Sequence, residues 1–344
     1  MPPTILLTGL NGFIALHTAA SLLARGFLVR GTLRTPTICP VVARALSPFH
    51  DGTRLELVTV PDMTVKGAFD RVARDVQAVA HLASPVSMTE TEGMMGAAVE
   101  GTLGLLRAVK GSPSVKGFCF VSTISAVFEE KEGGWTFDEG DWNDAAGKEL
   151  ERLGDKTPGY VVYQASKTAA ERAFWTFKEE ENPDFWMTTM CPAPVLGPPL
   201  MLPEPISKLS MRVKDVYDIY RGGPIPEFSP IRSTVVDVRD VAELVVKAIE
   251  RDLAQTGRQE PGEERYLLVG NSEPVSPQGM ADALREAYPE RRNIIQEGNP
   301  GKTYPDMTYK FDSNKAKTLL GREWIGFKQS VLDSVDAFQQ LEKQ

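Results

Sequence analysis

The chain has 344 residues, of which 42% are hydrophobic and 24% charged, and its formal net charge is -8. This length can bury the core of one large domain or two ordinary domains, and the composition excludes a chain that is disordered throughout. An acidic chain without a long basic run is a poor partner for nucleic acid or for an anionic membrane surface. Small molecules are therefore the expected partners.

The lengths of the apolar runs and the spacing of the cysteines indicate in which cell compartment the protein is found. No apolar run approaches the roughly 20 residues that a membrane-spanning helix needs, and Met1–Pro3 leads directly into a short strand rather than a secretory signal. We therefore predict a cytoplasmic protein without a membrane partner. Cys39, Cys119 and Cys191 lie far apart and match neither a disulfide framework nor a zinc pattern, so we predict reduced thiols and no metal site.

The first predicted element is a strand that ends at a glycine turn. A short apolar run reaches Gly9, and apolar residues then recur at helical spacing from Phe13 onward. Gly9 allows a tight turn, Gly12 lets the backbone approach a diphosphate, and Ala15 keeps the helix close to the sheet. The helix N-terminus offers unpaired N–H groups to phosphate oxygens. The spacing GxxGxxA also fits an ordinary glycine turn, so the following segments must decide between the two.

Short apolar strands and helical segments alternate through the first half of the chain. This pattern predicts an α/β fold, a doubly wound parallel sheet of the Rossmann type. A helix is predicted from about Met94 to Lys110 and another from near Tyr163 to beyond Phe174. The predicted strands after the first are Phe27–Leu33, Leu55–Val60, Ala78–Ala83, Gly117–Thr123 and Met187–Cys191.

The alternation stops at the proline-rich segment Pro192–Pro199, because proline disfavours both a helix interior and a central strand. Beyond it, only Thr234–Glu250 has the pattern of a strand followed by an amphipathic helix. We therefore predict a nucleotide-binding domain over residues 1–192, with a return segment at about 234–256. A smaller C-terminal substrate-binding domain would comprise residues 193–233 and 257–344.

The tip of the second strand indicates which dinucleotide binds. An NAD site carries an acidic residue there for the ribose 2'-hydroxyl, whereas this strand ends in Leu33-Arg34-Thr35. Arg34 can hold a 2'-phosphate bidentately, which predicts NADP (NADPH), although a solvated surface arginine is the alternative. Asp62, after the third strand, could accept a hydrogen bond from the adenine amino group or could simply form a turn after Pro61.

Tyr163 and Lys167 are the candidate catalytic pair. Four residues apart on a helix, they share one face, so the ammonium can favour the ionised phenol and lower its pKa. Such a tyrosine can give a proton to a carbonyl oxygen. The preceding predicted strand ends in Ser122-Thr123-Ile124-Ser125, and a hydroxyl there could stabilise the same oxygen. A YxxxK spacing alone is common, and only its place after the glycine turn makes it informative.

These segments together resemble one enzyme family. The chain resembles an extended short-chain dehydrogenase/reductase, and it is similar to the branch of dihydroflavonol reductases, cinnamoyl-CoA reductases and aldehyde or methylglyoxal reductases. The matching segments span nearly the whole chain and are Thr8–Ala15, Val29–Arg34, His81–Pro85, Phe137–Trp142, Tyr163–Lys167 and Val236–Val241. They are specific for the family and much less informative about the substrate.

The resemblance implies a role for each matching residue. The glycine turn would cradle the diphosphate, Arg34 would bind the 2'-phosphate, and Pro192 with Val195 would cover the nicotinamide. Tyr163 is then the proton donor, Lys167 lowers its pKa and binds the nicotinamide ribose, and Thr123 replaces the usual serine. Ser122 and Ser125 remain rivals for that third position. The implied cofactor-binding residues are Gly9, Asn11, Gly12, Phe13, Ile14, Arg34, Asp62, Ala83, Ser84, Pro85, Tyr163, Lys167, Pro192 and Val195.

Two positions depart from the pattern of this branch. A second basic residue often follows the arginine, where this chain has Pro36-Thr37-Ile38, so the 2'-phosphate would depend more strongly on Arg34. The proline after the sixth strand is commonly preceded by asparagine, and Cys191 stands in that place. The hydrogen bonding around Cys191 is therefore open.

The predicted function is NADPH-dependent reduction of an aldehyde or ketone to the alcohol by a monomer or homodimer. Val86, Ile124, Met201 and Ile225 would form an apolar wall suited to an aromatic or alkyl carbonyl substrate. Nucleotide-sugar epimerases or dehydratases and hydroxysteroid dehydrogenases use the same fold and the same Tyr/Lys pair. Arg34 without a neighbouring acid favours NADPH and reduction over these. A non-catalytic NADP sensor is an alternative of another class.

Overall fold

The computed structural model describes residues 2–84, 91–131, 134–227, 233–255, 263–271, 274–302 and 309–343. The strands in these segments are β1 (Thr4–Thr8), β2 (Leu28–Leu33), β3 (Leu55–Thr59), β4 (Ala78–His81), β5 (Gly117–Val121), β6 (Thr136–Phe137), β7 (Trp186–Pro192), β8 (Val195–Leu196), β9 (Val236–Asp237), β10 (Glu263–Leu268) and β11 (Lys310–Phe311). Among these strands, seven form one parallel sheet in the order β10-β7-β5-β4-β1-β2-β3. Two short parallel pairs, β6 with β11 and β8 with β9, lie outside it.

Helices cover both faces of the large sheet, as the alternating pattern predicted. They are α1 (Phe13–Ala24), α2 (Cys39–Leu46), α3 (Met94–Val109), α4 (Ala145–Leu153), α5 (Gly159–Glu181), α6 (Met211–Tyr220), α7 (Val238–Ala254), α8 (Pro277–Ala287), α9 (Asn314–Leu320) and α10 (Phe327–Leu341). Apolar residues of α1, α7 and α9 pack on one face of the sheet, and those of α3 and α5 pack on the other. The doubly wound α/β fold is thus confirmed. In the segments the structure describes, every helix is too short or too polar to span a bilayer.

The strand order indicates where on the sheet a ligand would bind. Consecutive strands β1, β2 and β3 run to one side, and the chain then returns to place β4 against β1 on the other side. In such a sheet, ligands bind outside the carboxyl ends of the strands at the point where the order reverses. That point lies between β1 and β4. Strand β4 ends at His81 rather than at the predicted Ala83, which leaves the next residues in a loop at this edge.

One predicted domain boundary is wrong. We placed residues 257–344 in the substrate-binding domain, but β10 pairs along its length with β7 and is an edge strand of the large sheet. Helix α9 also packs on the nucleotide-binding core through Ala316 and Leu320. The segment was missed because Glu264 and Arg265 interrupt its apolar pattern. Arg265 is nevertheless buried, because the buried carboxylate of Glu171 pairs with it.

A separate apolar cluster joins three C-terminal helices. Buried residues of α6, α8 and α10 pack together, with Leu196 of β8 at their edge. Phe13, the first residue of α1, packs against this cluster. Through Phe13, the start of the nucleotide-binding helix α1 therefore packs directly on the C-terminal helices.

Candidate active site

The glycine turn has the geometry that a diphosphate requires. Gly9 has a φ of +69°, and a Cβ at this position would lie 3.0 Å from the Cα of Ala83. Gly12 donates its N–H to the carbonyl of Gly9 at 2.8 Å and precedes α1 without a side-chain cap. Asn11 and Gly12 are exposed, and Phe13 is partly exposed. The uncapped N–H groups at the start of α1 are therefore open to an anion.

Replacing Gly9 with alanine is expected to cost about 1–3 kcal/mol in the free energy of unfolding and to weaken dinucleotide binding. The new Cβ would meet the backbone of Ala83 in a φ region that side chains rarely adopt. Thermal unfolding and a dinucleotide titration measure the two effects. Gly96→Ala on α3 is the control, since an added Cβ meets no described atom within 4 Å there. Equal stability of the two variants would contradict this account of the turn.

The loop after β4 is anchored beside the glycine turn. Thr8, the last residue of β1, accepts the N–H groups of Leu82 at 3.1 Å and Ala83 at 3.0 Å on its hydroxyl oxygen. The same hydroxyl hydrogen-bonds His81 at 2.8 Å. Ala83 and Ser84 are partly exposed, and their contact with a nicotinamide stays a prediction. This loop lies where the strand order reverses.

The predicted 2'-phosphate and adenine positions lie near the tip of β2. Arg34 is exposed directly after β2, and its charge is close enough to Asp62 to lower the pKa of that carboxyl. The larger effect on Asp62 comes from Thr64, whose hydroxyl and backbone N–H donate to it at 2.7 and 2.8 Å. Asp62 therefore forms the turn that we considered, and its contact with adenine stays a prediction.

The structure brings Thr123, Tyr163 and Lys167 together. Thr123 follows the end of β5, and its hydroxyl lies close enough to the phenol of Tyr163 to lower the pKa of that phenol. Lys167 lies one turn further along α5, with its Nζ 5.8 Å from the centroid of the Tyr163 ring. Thr123 and Tyr163 are partly exposed, whereas Lys167 is only 5% exposed. A phenol and a hydroxyl thus face the site, and an ammonium lies behind the phenol.

The pKa of Tyr163 shifts in the direction opposite to our prediction. Burial raises it to about 12, and the hydrogen bond with Thr123 lowers it by less. Burial also lowers the pKa of Lys167 to about 8, which the charge of Glu171 partly offsets. Desolvation has the largest effect on each group because burial away from water disfavours the charged form. Tyr163 is therefore protonated at neutral pH and can act as an acid.

Two other hydroxyls compete with Thr123 for the substrate oxygen, and both belong to buried side chains. Ser122 donates its hydroxyl to the buried carboxylate of Glu171 at 2.6 Å. Ser125 is buried, and its backbone N–H donates to the hydroxyl oxygen of Thr123 at 3.2 Å. Of the three, Thr123 is the one whose hydroxyl lies against Tyr163.

Cys191, near the end of β7, forms hydrogen bonds with Glu171. Its thiol is buried and lies 3.5 and 3.6 Å from the two carboxylate oxygens of Glu171. Burial and the Glu171 charge raise the pKa of this thiol far above its usual value, so it remains a thiol that donates to the carboxylate. Pro192 is buried at the last position of β7, and Val195 is partly buried in β8. Their contact with a nicotinamide stays a prediction.

The residues of the predicted apolar substrate wall lie in different parts of the fold, and their contact with a substrate stays a prediction. Ile124 was assigned to it wrongly, because its side chain is 1% exposed and belongs to the core beneath the sheet. Met201 is partly buried against that same core, whereas Ile225 packs against the cluster of α6, α8 and α10. Pro85 and Val86 lie outside the described residues.

The sequence interpretation missed Glu171 and Arg265. Arg265 of β10 donates from its Nε to a carboxylate oxygen of Glu171 at 2.8 Å, and both side chains are buried. The spacing of Tyr163, Lys167 and Glu171, each four residues after the one before, was a signal that could have found the carboxylate. Nothing local in the sequence predicts its pairing with Arg265, 94 residues away.

Comparison with known proteins adds to this geometry. The sequence model of the NAD dependent epimerase/dehydratase family matches residues 5–259. Aldehyde reductase 2 of Sporidiobolus salmonicolor is 36% identical, over 96% of this chain and 94% of that protein. NADPH-dependent methylglyoxal reductase GRE2 of Saccharomyces cerevisiae is 27% identical, over 98% of this chain and 99% of that protein.

A solved structure covers the same extent. The crystal structure of Gre2 from Candida albicans in complex with NADPH is 27% identical and covers 99% of both chains, with a TM-score of 0.84. The likeness therefore includes the nucleotide-binding sheet and the C-terminal helices.

Proposed function

We propose that this chain, which belongs to the NAD dependent epimerase/dehydratase family, is an NADPH-dependent reductase that converts an aldehyde or ketone to the alcohol. The observation that carries the proposal is the approach of Thr123, Tyr163 and Lys167 at the edge of the sheet that holds the glycine turn. Relatives that align over nearly the whole chain are named as NADPH-dependent methylglyoxal reductase and aldehyde reductase. They support both the cofactor and the reaction.

The residues at this edge fit a dinucleotide. The open N–H groups around Gly12 suit the diphosphate, and the exposed guanidinium of Arg34 suits a 2'-phosphate. Ala83, Ser84 and Pro85 would line one side of the nicotinamide, and Pro192 with Val195 the other. When bound, NADPH supplies the hydride from C4 of its nicotinamide ring.

The protein groups supply the proton and hold the substrate oxygen. Tyr163, protonated at neutral pH, would donate its proton to the carbonyl oxygen as negative charge develops there. The hydroxyl of Thr123 would donate a hydrogen bond to the same oxygen. The Lys167 ammonium stabilises the phenolate that remains on Tyr163 after the proton has left. Each group is thus aligned before the reaction begins.

The rate of reduction should depend on the charge of Lys167. Its pKa is lowered to about 8, so we expect kcat/KM to fall as the pH rises through that value, because the neutral amine no longer stabilises the phenolate. The measurement is kcat/KM for an aldehyde across the alkaline range. Lys167→Met should have a low rate without this alkaline limb. A wild-type rate that stays level well above pH 8 would contradict the proposed role.

The substrate is proposed to be an apolar or aromatic carbonyl compound. The partly buried side chains of Met201 and Ile225 support an apolar pocket. The test is consumption of NADPH, with NADH beside it, against a panel of aryl ketones, α-dicarbonyls and flavanonols. Preferred turnover of one of these with NADPH is the expected result. A clear preference for a nucleotide-linked sugar, with the dinucleotide returned unchanged, would favour an epimerase instead.

The cytoplasmic location and the monomeric or homodimeric state stay predictions of the sequence. Fractionation of the native cells and the molecular mass in solution would test them.

A further inference from the structure

A buried carboxylate lies behind the candidate catalytic pair. Tyr163, Lys167 and Glu171 recur every fourth residue on α5, so they lie along one face of the helix. Glu171 is fully buried. An ionised carboxylate away from water is costly unless it is paired and hydrogen-bonded, so its partners decide what it does.

The partners of Glu171 come from β7, from β10 and from the residue directly after β5, three neighbouring strands of the sheet. Ser122 after β5 donates its hydroxyl at 2.6 Å, and Thr189 of β7 donates its hydroxyl at 3.0 Å. Arg265 of β10 donates from Nε at 2.8 Å and from Nη2 at 3.3 Å. Since Thr123 directly follows Ser122, Glu171 joins the helix that carries Tyr163 to the turn that carries Thr123.

Arg265 extends this network to the segment between β6 and α4. Its Nη1 donates to the carbonyl of Glu139 at 2.9 Å and to that of Asp141 at 2.6 Å. Its guanidinium carbon lies 3.8 Å from the ring centroid of Trp142. The cation is therefore held on several sides, and the carboxylate that it pairs with has little freedom to move.

Lys167 depends on a negative charge that does not touch it. Within the described segments, no carboxylate forms an ion pair with its Nζ, and yet Glu171 raises its pKa against the effect of burial. His81 of β4 is neutral, because burial lowers its pKa to about 3. Cys191 of β7 is a neutral thiol, and Tyr163 is a neutral phenol.

The other elements packed on α5 bring no buried charge to this face. Helices α3 and α4 pack against α5, and their charged side chains are exposed or partly exposed: Glu100, Arg107, Lys148, Glu149, Glu151 and Arg152. Among the described groups, Glu171 is thus the buried ion whose charge acts on Lys167.

We propose that Glu171 is a positioning residue for the reduction: it keeps Lys167 charged and holds Tyr163 in register with Thr123, while Arg265 limits how strongly it does so. The proposal rests on the proposed function, because it assigns Lys167 and Tyr163 to the reaction. The hydrogen-bond partners of Glu171 in the described segments are Ser122, Thr189, Cys191 and Arg265, and neither Tyr163 nor Thr123 is among them. It would act through the ammonium of Lys167 and through these strand residues.

The first test is Glu171→Gln, which keeps the shape and a hydrogen-bond acceptor and removes the charge. Lys167 should then lose its proton more easily, so the alkaline limb of kcat/KM should move to lower pH by about one unit. Thr189→Val is the matched control, because it removes a hydrogen bond to Glu171 and leaves the charge. Its limb should stay in place. An unmoved limb in Glu171→Gln, or an equal shift in Thr189→Val, would overturn the proposal.

A second variant has the opposite expected sign. Arg265→Gln frees the Glu171 carboxylate from its cation, so Lys167 should hold its proton to higher pH. The alkaline limb of kcat/KM should therefore move to higher pH. A purely structural role would not move the two limbs in opposite directions. If Glu171→Gln does not fold, the Arg265→Gln result decides. An alkaline limb at higher pH than in the wild type supports the proposal, and a limb at the same or lower pH overturns it.

A direct titration separates this proposal from the proposed function. The Lys167 amine is followed by NMR in protein with isotope-labelled lysine, and its resonance is assigned with Lys167→Met. We expect the midpoint to fall in Glu171→Gln and to rise in Arg265→Gln. Shifted midpoints without carbonyl reduction would overturn the proposed function only. Normal reduction with unshifted midpoints would overturn the role of Glu171 only.

Discussion

Replacing Tyr163 with phenylalanine is expected to lower kcat for carbonyl reduction by about 10²- to 10⁴-fold, the usual contribution of a general acid. The ring keeps its place beside Lys167, and only the hydroxyl that bonds Thr123 is lost. The affinity for NADPH should stay within about threefold, because the lost group acts in the transition state rather than in cofactor binding. Steady-state kinetics and a fluorescence titration with NADPH measure the two quantities.

Tyr160→Phe provides a matched control on the same helix. Tyr160 is 60% exposed and has Gln164, rather than a lysine, four residues further on. Its variant should reduce carbonyl compounds at the wild-type rate. If Tyr163→Phe also kept wild-type turnover, the assignment of the proton donor would be wrong.

Arg34→Glu is expected to raise KM for NADPH by about 100-fold, which corresponds to about 2.7 kcal/mol. Charge-assisted hydrogen bonds contribute about 1.5–3 kcal/mol each, and the new carboxylate would also repel a 2'-phosphate. The effect should be large because Pro36-Thr37-Ile38 follows in place of a second basic residue. KM for NADH should stay level or fall, since a carboxylate at this position can accept the ribose 2'-hydroxyl.

Arg44→Glu is the control for the change of charge. Arg44 is also exposed and lies in α2, in the segment that follows β2. A similar rise of KM for NADPH in both variants would indicate a general electrostatic effect and would contradict a phosphate contact at Arg34.

Much of the nucleotide-binding half could be predicted because its signals are local. The apolar run before Gly9 and the helical spacing after Phe13 predicted β1 and α1, which the structure confirms. The prediction of a tight turn at Gly9 depends on one residue and its neighbours, and Gly9 has a positive φ. The shared face of Tyr163 and Lys167 likewise follows from helical geometry alone.

The parts that failed depend on contacts distant in sequence. Strand β10 could not be recognised because Arg265 interrupts its apolar pattern, and only Glu171 on another element explains why that arginine is buried. Ile124 follows the candidate Thr123, which suggested a pocket residue, but its side chain points into the core. The pKa of Tyr163 also depends on how deeply the folded protein buries it.

The most direct test of the account is the transfer of deuterium to a carbonyl substrate from NADPH that carries deuterium at both C4 positions. We predict an alcohol that carries one deuterium on the former carbonyl carbon, formed in equal amount to the NADPH consumed, and almost none with Tyr163→Phe. An enzyme that binds NADPH tightly but transfers no label to any member of the carbonyl panel would contradict the proposed reductase.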